Sequence, residues 1–202
     1  IRTGYTCLGW NTLANGTGIN YADGALYSFE ADITLYAKWT TLPTHTVTFN
    51  ANGGIGTMTP QVENVPTALA LNTFTRTGYT FAGWNTLANG TGTNYANGAS
   101  YSFSVDITLY AKWTANSYTI TFNSNGGSAV GAITQPFGSA VSAPTAPTKT
   151  GNTFGGWYSD AGLNTAYTFT TMPAADITLY AKWTANSYTI TFNSNGGSAV
   201  AA

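Results

Sequence analysis

Residues 106–114 read DITLYAKWT, and this stretch decides the fold. Apolar and polar side chains alternate along it, which is typical of a β-strand with one buried face. The apolar face is Ile107, Leu109, Ala111 and Trp113, and the other face is Thr108, Tyr110 and Lys112. The stretch therefore predicts a strand and, with the many Thr, Tyr, Phe and Trp residues around it, a mainly β protein.

The nine letters recur unchanged at 32–40 and 176–184, so the chain repeats itself. Two other blocks recur in fixed order: a Gly-Trp block whose Trp stands at 10, 84 and 157, and an opening block at 47–54, 120–127 and 190–197. The period is 70 to 74 residues. It predicts these modules: the C-terminal part of a repeat at 1–41, complete repeats at 45–114 and 118–184, and the first strand of a further repeat at 188–202.

Each module opens with a second alternating stretch, such as Tyr118 to Phe122, followed by a turn. The pairs Asn125-Gly126 and Asn52-Gly53 favour a type I′ turn, whose two central residues need positive φ. A hairpin into 132–141 is expected after the turn. Pro144 and Pro147 exclude a central strand from 143–151, which is interpreted as an ordered crossover with little helix.

The composition excludes several classes of partner. Charged residues make up 6% of the chain and the net charge is -1, which disfavours binding to nucleic acid or anionic membranes. Nowhere do about 18 apolar residues follow one another, so no transmembrane segment is expected in this fragment. The single cysteine, Cys7, stands where the other modules have Phe81 and Phe154, and we expect it to be a small buried hydrophobe.

The blocks together resemble the Listeria-Bacteroides repeat family, also called the internalin B-repeat family. The residues that carry the resemblance are Asn125, Gly126, Gly127, Pro147, Thr148, Thr150, Gly151, Phe154, Gly156, Trp157, Asp176, Leu179, Tyr180, Ala181, Lys182 and Trp183, with counterparts in the preceding repeat. Residues 67–74 depart from the family pattern, because they lack the two prolines that precede the Gly-Trp block in the other complete repeat, Pro144 and Pro147. The resemblance implies a small β-grasp-like module of bacterial or archaeal surface and secreted proteins, with no catalytic residue to carry over.

Chemistry-bearing residues are sparse, so neither an enzyme nor a cofactor or metal site is expected. His45 alone cannot form a catalytic set and is interpreted as a strand-edge residue. Asp160 to Asn164 favours a turn over calcium ligation. Asp32, Asp106 and Asp176 precede the closing strands, where hydrogen bonds to the following amides are expected. Lys38, Lys112 and Lys182 are expected to be solvated, although isopeptide crosslinks to Asn or Asp are an alternative.

The polar segment 85–98, nearly repeated at 11–24, is the best candidate for a ligand-binding loop, because exposed amides, hydroxyls and aromatic rings suit sugars or proteins. Its candidate residues are Asn85, Asn89, Thr91, Asn94 and Tyr95. Tyr21, Tyr95 and Trp84 are possible stacking surfaces. A plain irregular hairpin is the competing interpretation.

Three functions fit these observations. The first is a structural spacer or stalk of an extracellular or cell-surface protein, because the linkers at 41–44 and 115–117 are short and favour an extended, semi-rigid rod of tandem modules. The second is a subunit of a self-assembling extracellular filament. The third is an adhesin module that binds carbohydrate or protein, with host or cell-surface proteins or glycans as partners.

Overall fold

The computed structural model describes residues 1–198, and these residues form strands and connecting loops without a helix. The mainly β prediction is therefore confirmed. The strands are β1 (Tyr5–Asn11), β2 (Asn20–Tyr21), β3 (Tyr36–Thr41), β4 (His45–Asn50), β5 (Gln61–Glu63), β6 (Thr67–Ala68), β7 (Tyr79–Asn85), β8 (Asn94–Tyr95), β9 (Ser100–Tyr101), β10 (Ile107–Ala115), β11 (Ser117–Asn123), β12 (Ile133–Pro136), β13 (Asn152–Tyr158) and β14 (Ile177–Ala185).

The chain divides into two compact units. The first contains Ile1–Arg76 and Thr80–Thr114, and the second contains Thr77–Tyr79 and the residues from Ala115 on. In the first unit a five-stranded sheet has the order β5-β4-β10-β7-β8, and a smaller sheet has the order β2-β1-β3. In the second unit a four-stranded sheet has the order β12-β11-β14-β13.

The first and the closing strand of each complete repeat lie side by side and run parallel. β11 pairs with β14 so that Ile120 is opposite Ile177 and Phe122 is opposite Leu179. β4 and β10 pair in the same way. The opening hairpin forms, since β12 pairs antiparallel with β11, but its returning strand covers Ile133–Pro136 and not all of 132–141. The β-grasp-like detail remains a prediction, since the crossover between the two hairpins contains no helix within residues 1–198.

Each unit has its own hydrophobic core. The first surrounds Val47, Trp84, Leu109 and Ala111, and the second surrounds Ile120, Met172, Leu179 and Ala181. The side chains at the middle of the closing strand are completely buried, as the alternation predicts. Full burial of a leucine such as Leu109 or Leu179 contributes about 1.5–3 kcal/mol to the free energy of folding, before the loss of conformational entropy is subtracted.

The backbone conformation requires a glycine before the tryptophan of each Gly-Trp block. Gly83 has a φ of 115° and stands inside β7, where a Cβ atom would lie 2.8 Å from the carbonyl oxygen of Tyr95. Only glycine adopts this φ at little cost. It lets β8 approach β7 closely and directs the neighbouring Trp84 into the core.

The aspartates before the closing strands have a structural role, but their partners differ from the prediction. Asp106 accepts a hydrogen bond from the backbone N–H of Thr46 at 2.8 Å, and Asp176 accepts one from the N–H of Thr119 at 2.7 Å. These amides belong to the first strand of the module, not to the residues after the aspartate. Each carboxylate therefore joins the starts of the two parallel strands.

Two further expectations differ from the structure. Cys7 is exposed, because residues 1–41 contain no counterpart of β4 and β5 to cover it. The expected first strand at 188–202 is not formed over 188–198, where Tyr188, Ile190 and Phe192 are exposed, and 199–202 lie outside the described residues. The parallel strand that would cover such a segment is likewise not in the described chain.

Candidate ligand-binding loop

Asn85 organises the candidate loop from its base. Its side chain is 1% exposed, and its amide nitrogen donates to the carbonyl oxygens of Gly90 and Gly92 and to Oδ1 of Asn94 at 2.9–3.1 Å. Its Oδ1 accepts from the backbone N–H groups of Leu87 and Gly92. All of its hydrogen-bonding capacity is therefore used inside the loop, and Asn11 makes the same set of contacts in the first module.

Asn89 and Thr91 form the exposed tip of the loop. Oδ1 of Asn89 accepts from both the N–H and the hydroxyl of Thr91, at 3.1 and 2.8 Å. Both residues are exposed. The tip is thus held in one conformation by its own side chains, which lowers the entropy cost of binding.

The three aromatic residues expected to stack on a ligand pack against other aromatic rings of the chain. Trp84 has no exposed surface, and its ring centroid lies 4.8 Å from that of Phe49. The prediction that Trp84 is a stacking surface for a ligand is therefore wrong. Tyr95 is half-buried and packs edge to face on Tyr101 at 5.6 Å, and Tyr21 packs on Tyr27 in the same way. Burial raises the pKa of Tyr101, and the neighbouring Tyr95 and Asp106 add to the effect.

A cavity of about 270 Å³ lies beside the loop. Asn85 and Asn89 line it, whereas Thr91, Asn94 and Tyr95 do not. Its other polar and aromatic walls are Asn52, Arg76, Lys112 and Trp113, which come from three other segments of the chain. Sequence reasoning missed these four because no local pattern indicates that the Asn52 turn and the closing strand meet at this loop.

The lysines of the closing strands are half-buried and have partners, in contrast to the expectation that solvent surrounds them. Lys112 Nζ donates to Oδ1 of Asn94 at 3.0 Å, and Lys38 makes the same contact with Asn20 at 3.2 Å. Lys182 instead lies over the ring of Tyr158 at 4.8 Å. Within residues 1–198 no lysine forms an ion pair with a carboxylate, and the isopeptide alternative stays a prediction.

His45 and Asp160 have structural contacts. Nδ1 of His45 lies 3.4 Å from Asp106 at the start of β4. Asp160 accepts hydrogen bonds from the backbone N–H groups of Thr165 and Asn164, which lower the pKa of its carboxyl group and close the turn after β13. Among the described residues no group of three or more His, Cys, Asp or Glu side chains could hold a metal ion.

The sequence pattern of the Listeria-Bacteroides repeat domain matches this chain three times, at residues 1–38, 45–112 and 118–182. The chain belongs to this family. The first match contains β1 and β3. The second contains the first complete core, and the third contains the second complete core.

Relatives of these Listeria-Bacteroides repeats are parts of longer proteins. A protein named as a Gly-rich membrane protein of Evansella cellulosilytica is 39% identical over 98% of this chain and 24% of its own length. Internalin H of Listeria monocytogenes is 34% identical over 89% of this chain and 33% of its own length. The chain thus spans a third or less of these relatives, and the matches indicate the repeat region of a surface protein. Over residues 1–198, no helix has the length and apolar character needed to cross a membrane.

The third Listeria-Bacteroides repeat of the chain has a different loop. Tyr158 stands at the position of Asn85, and the segment after it is closed by Asp160 in place of the asparagine network. The cavity walls are also changed, because Lys149 replaces Arg76 and donates to the carbonyl oxygen of Asn125 at 2.9 Å. The chain therefore contains two repeats with the asparagine loop and one repeat without it.

Proposed function

We propose that these repeats are a structural spacer of an extracellular or cell-surface protein and that they carry no enzymatic activity. The observation that supports this most directly is that each complete repeat has its own core, with Trp84 in one and Trp157 in the other. A catalytic domain of the same length would be expected to gather titratable side chains around one shared cleft.

The strand order explains how one repeat can be a complete building block. Since the first strand pairs with the closing strand, all the residues that cover the core of 118–184 come from that same repeat. Three residues, 42–44, separate β3 from β4, and a single residue, Asn116, separates β10 from β11. Short linkers of this kind restrict the movement of neighbouring modules, which suits a spacer that must keep its length.

Small-angle X-ray scattering of the 202-residue chain tests the spacer function. A compact single globule of this length would have a radius of gyration of about 17 Å. We expect a clearly larger value that changes little with salt concentration. A matched variant with a flexible Gly-Ser insertion after Ala115 should broaden the distance distribution, and a radius near that of the globule would contradict the proposal.

Self-assembly into a filament is a second candidate function, and one observation favours it. Tyr188, Ile190 and Phe192 are 56–77% exposed and lie on a segment without a strand partner, while β3 is at the edge of its sheet. Exposed apolar segments and sheet edges can pair with another copy. Light scattering should show association that is lost when the chain ends at residue 184, and a concentrated monomeric solution would contradict it.

An adhesin role is the third candidate. The cavity beside the 85–94 loop supports it, since the loop tip is exposed and its conformation is already fixed. Binding of glycans or of host or cell-surface proteins by the chain would support this role, and its failure would leave the spacer function untouched.

A further inference from the structure

All six basic residues of the chain occupy only two positions of the repeat. Arg2, Arg76 and Lys149 stand before the Gly-Trp block, and Lys38, Lys112 and Lys182 stand before the last tryptophan. In the second module these two positions, Arg76 and Lys112, line the same cavity of about 270 Å³. No aspartate or glutamate lines it. A nearly uncharged protein thus places two cations around one small pocket.

The cavity has walls that are fixed before any ligand arrives. The amide nitrogen of Asn52 donates to the carbonyl oxygens of Ala88 and Ala111, at 2.9 and 3.0 Å, and so joins the loop to the closing strand. Nε1 of Trp113 donates to the carbonyl oxygen of Ala51 at 2.9 Å. The contact between Lys112 and Asn94 holds the lysine head at the loop.

We propose that this cavity binds a carboxylate-bearing sugar, such as a uronic acid unit of an acidic glycan. A guanidinium group matches a carboxylate with two parallel hydrogen bonds, and an ammonium group can donate to the same anion. Lys112 uses one of its three N–H donors on Asn94, so donors remain for a ligand. The cavity volume of about 270 Å³ lies just below the usual range of small-molecule pockets, about 300–1,000 Å³, and fits one sugar ring.

The other cavity walls favour a sugar acid over a simple anion. The Asn89 amide and the edge of Trp113 would contact hydroxyl groups and a ring, which inorganic phosphate does not have. A polyphosphate backbone needs an extended basic surface, and the net charge of -1 does not provide one. The proposal does not depend on the spacer function.

The first and third modules make opposite predictions. In the first, Arg2, Asn15, Lys38 and Trp39 line a corresponding cavity of about 350 Å³, so this module should also bind. In the third, Tyr158 stands at the position of Asn85, and Asp160 places a carboxylate at the position of Leu87, which lines the cavity in the second module. An anionic ligand would meet this negative charge, so the third module should not bind.

The test is an NMR titration of the 202-residue chain with a short oligogalacturonate, a neutral glucose oligomer and inorganic phosphate. Only the oligogalacturonate should shift the signals of Arg76, Asn89 and Trp113 and their counterparts in the first module. The double variant Arg2→Gln with Arg76→Gln should weaken binding about tenfold or more, the size expected for loss of a charge-assisted pair. The matched variant Lys149→Gln with Lys182→Gln should bind as the unmodified chain does.

A second pair of variants guards against an effect on folding. Leu13 and Leu87 are each 50% exposed, and both line the cavities. Replacing both with Glu should weaken the binding of oligogalacturonate about tenfold, because the new carboxylates repel the ligand's carboxylate. Leu26→Glu with Leu71→Glu, outside the cavities, should leave the affinity unchanged. Equal binding of glucose or phosphate, no binding of oligogalacturonate, or equal losses in the matched variants would overturn the proposal.

Discussion

Asn125 shows how one residue can have two roles in the module. Its φ is 48°, in the left-handed region that the turn requires, and its amide nitrogen donates to the carbonyl oxygen of Ala181 at 2.8 Å. The turn after the first strand is thereby tied to the closing strand. Asn52 repeats this contact with Ala111.

Replacing Asn125 should separate these two roles. Asn125→Gly keeps the backbone conformation and loses the hydrogen bond, which should reduce the free energy of unfolding by about 1 kcal/mol. Asn125→Ala should lose about 1–2 kcal/mol more, because alanine resists positive φ. Urea denaturation measures both. Asn195→Ala, at the same φ in the segment without a strand, is the control and should have no effect.

Asp160 should make stability depend on pH below the neutral range. Hydrogen bonds from the N–H groups of Thr165 and Asn164 lower the pKa of its carboxyl group in the folded state. Its contribution is therefore complete above the ordinary aspartate pKa of about 3.9 and is lost as the pH falls through the lower folded value.

The melting temperature of the chain and of Asp160→Asn, measured from about pH 6 to pH 2, tests this. The difference between the two proteins should be largest at the upper end and vanish at the lower end. A difference that stays constant across the range would show that the charge of Asp160 plays no part.

The Asn-Gly turn could be predicted from its two letters, because positive φ is a property of the residues themselves. The partner of Asp176 could not, since Thr119 is 57 residues away and no local pattern indicates it. The exposure of Cys7 and the burial of Trp84 were missed for a related reason. Which side chains are covered depends on which other strands are present, and alternation alone does not reveal that.

At the scale of the element, the parallel pair of first and closing strands determines the module. Alternation in β11 and β14 predicts two half-buried strands correctly, but the same alternation suits parallel and antiparallel pairing. The parallel register therefore came from the structure. It also explains why Asp106 and Asp176 stand where they do, since parallel strands start at the same end of the sheet.

Removing the carboxylate at the start of this pair should loosen the module. Asp176→Ala should lower the free energy of unfolding of repeat 118–184 by about 0.5–1.5 kcal/mol, because the N–H of Thr119 at the exposed start of the strand pair loses its charged acceptor. Asp176→Asn should lose less, since its amide oxygen still accepts. The matched variant Asp32→Ala should cost little, because residues 1–41 contain no counterpart of β11. Equal effects at the two positions in urea denaturation would contradict this.

At the scale of the whole molecule, the period of 70 to 74 residues predicts separate cores, and the structure has two. Damage to one core should then stay within it. Leu179→Ala should lower the free energy of unfolding of its own repeat by about 2–5 kcal/mol. Leu109→Ala should do the same to the other repeat.

Hydrogen exchange of individual amides measures this separation. With Leu179→Ala, protection should fall in 118–184 and stay unchanged in 45–114, and Leu109→Ala should give the reverse pattern. A simultaneous loss of protection in both repeats would show that they unfold as one cooperative unit and would weaken the spacer function.

The neighbouring, parallel first and closing strands also determine how a repeat responds to tension. Traction applied to the chain on either side of a module draws these two strands along their axes in opposite directions. The hydrogen bonds between them then share the load at the same moment instead of opening one after another. Each repeat should therefore resist extension in shear.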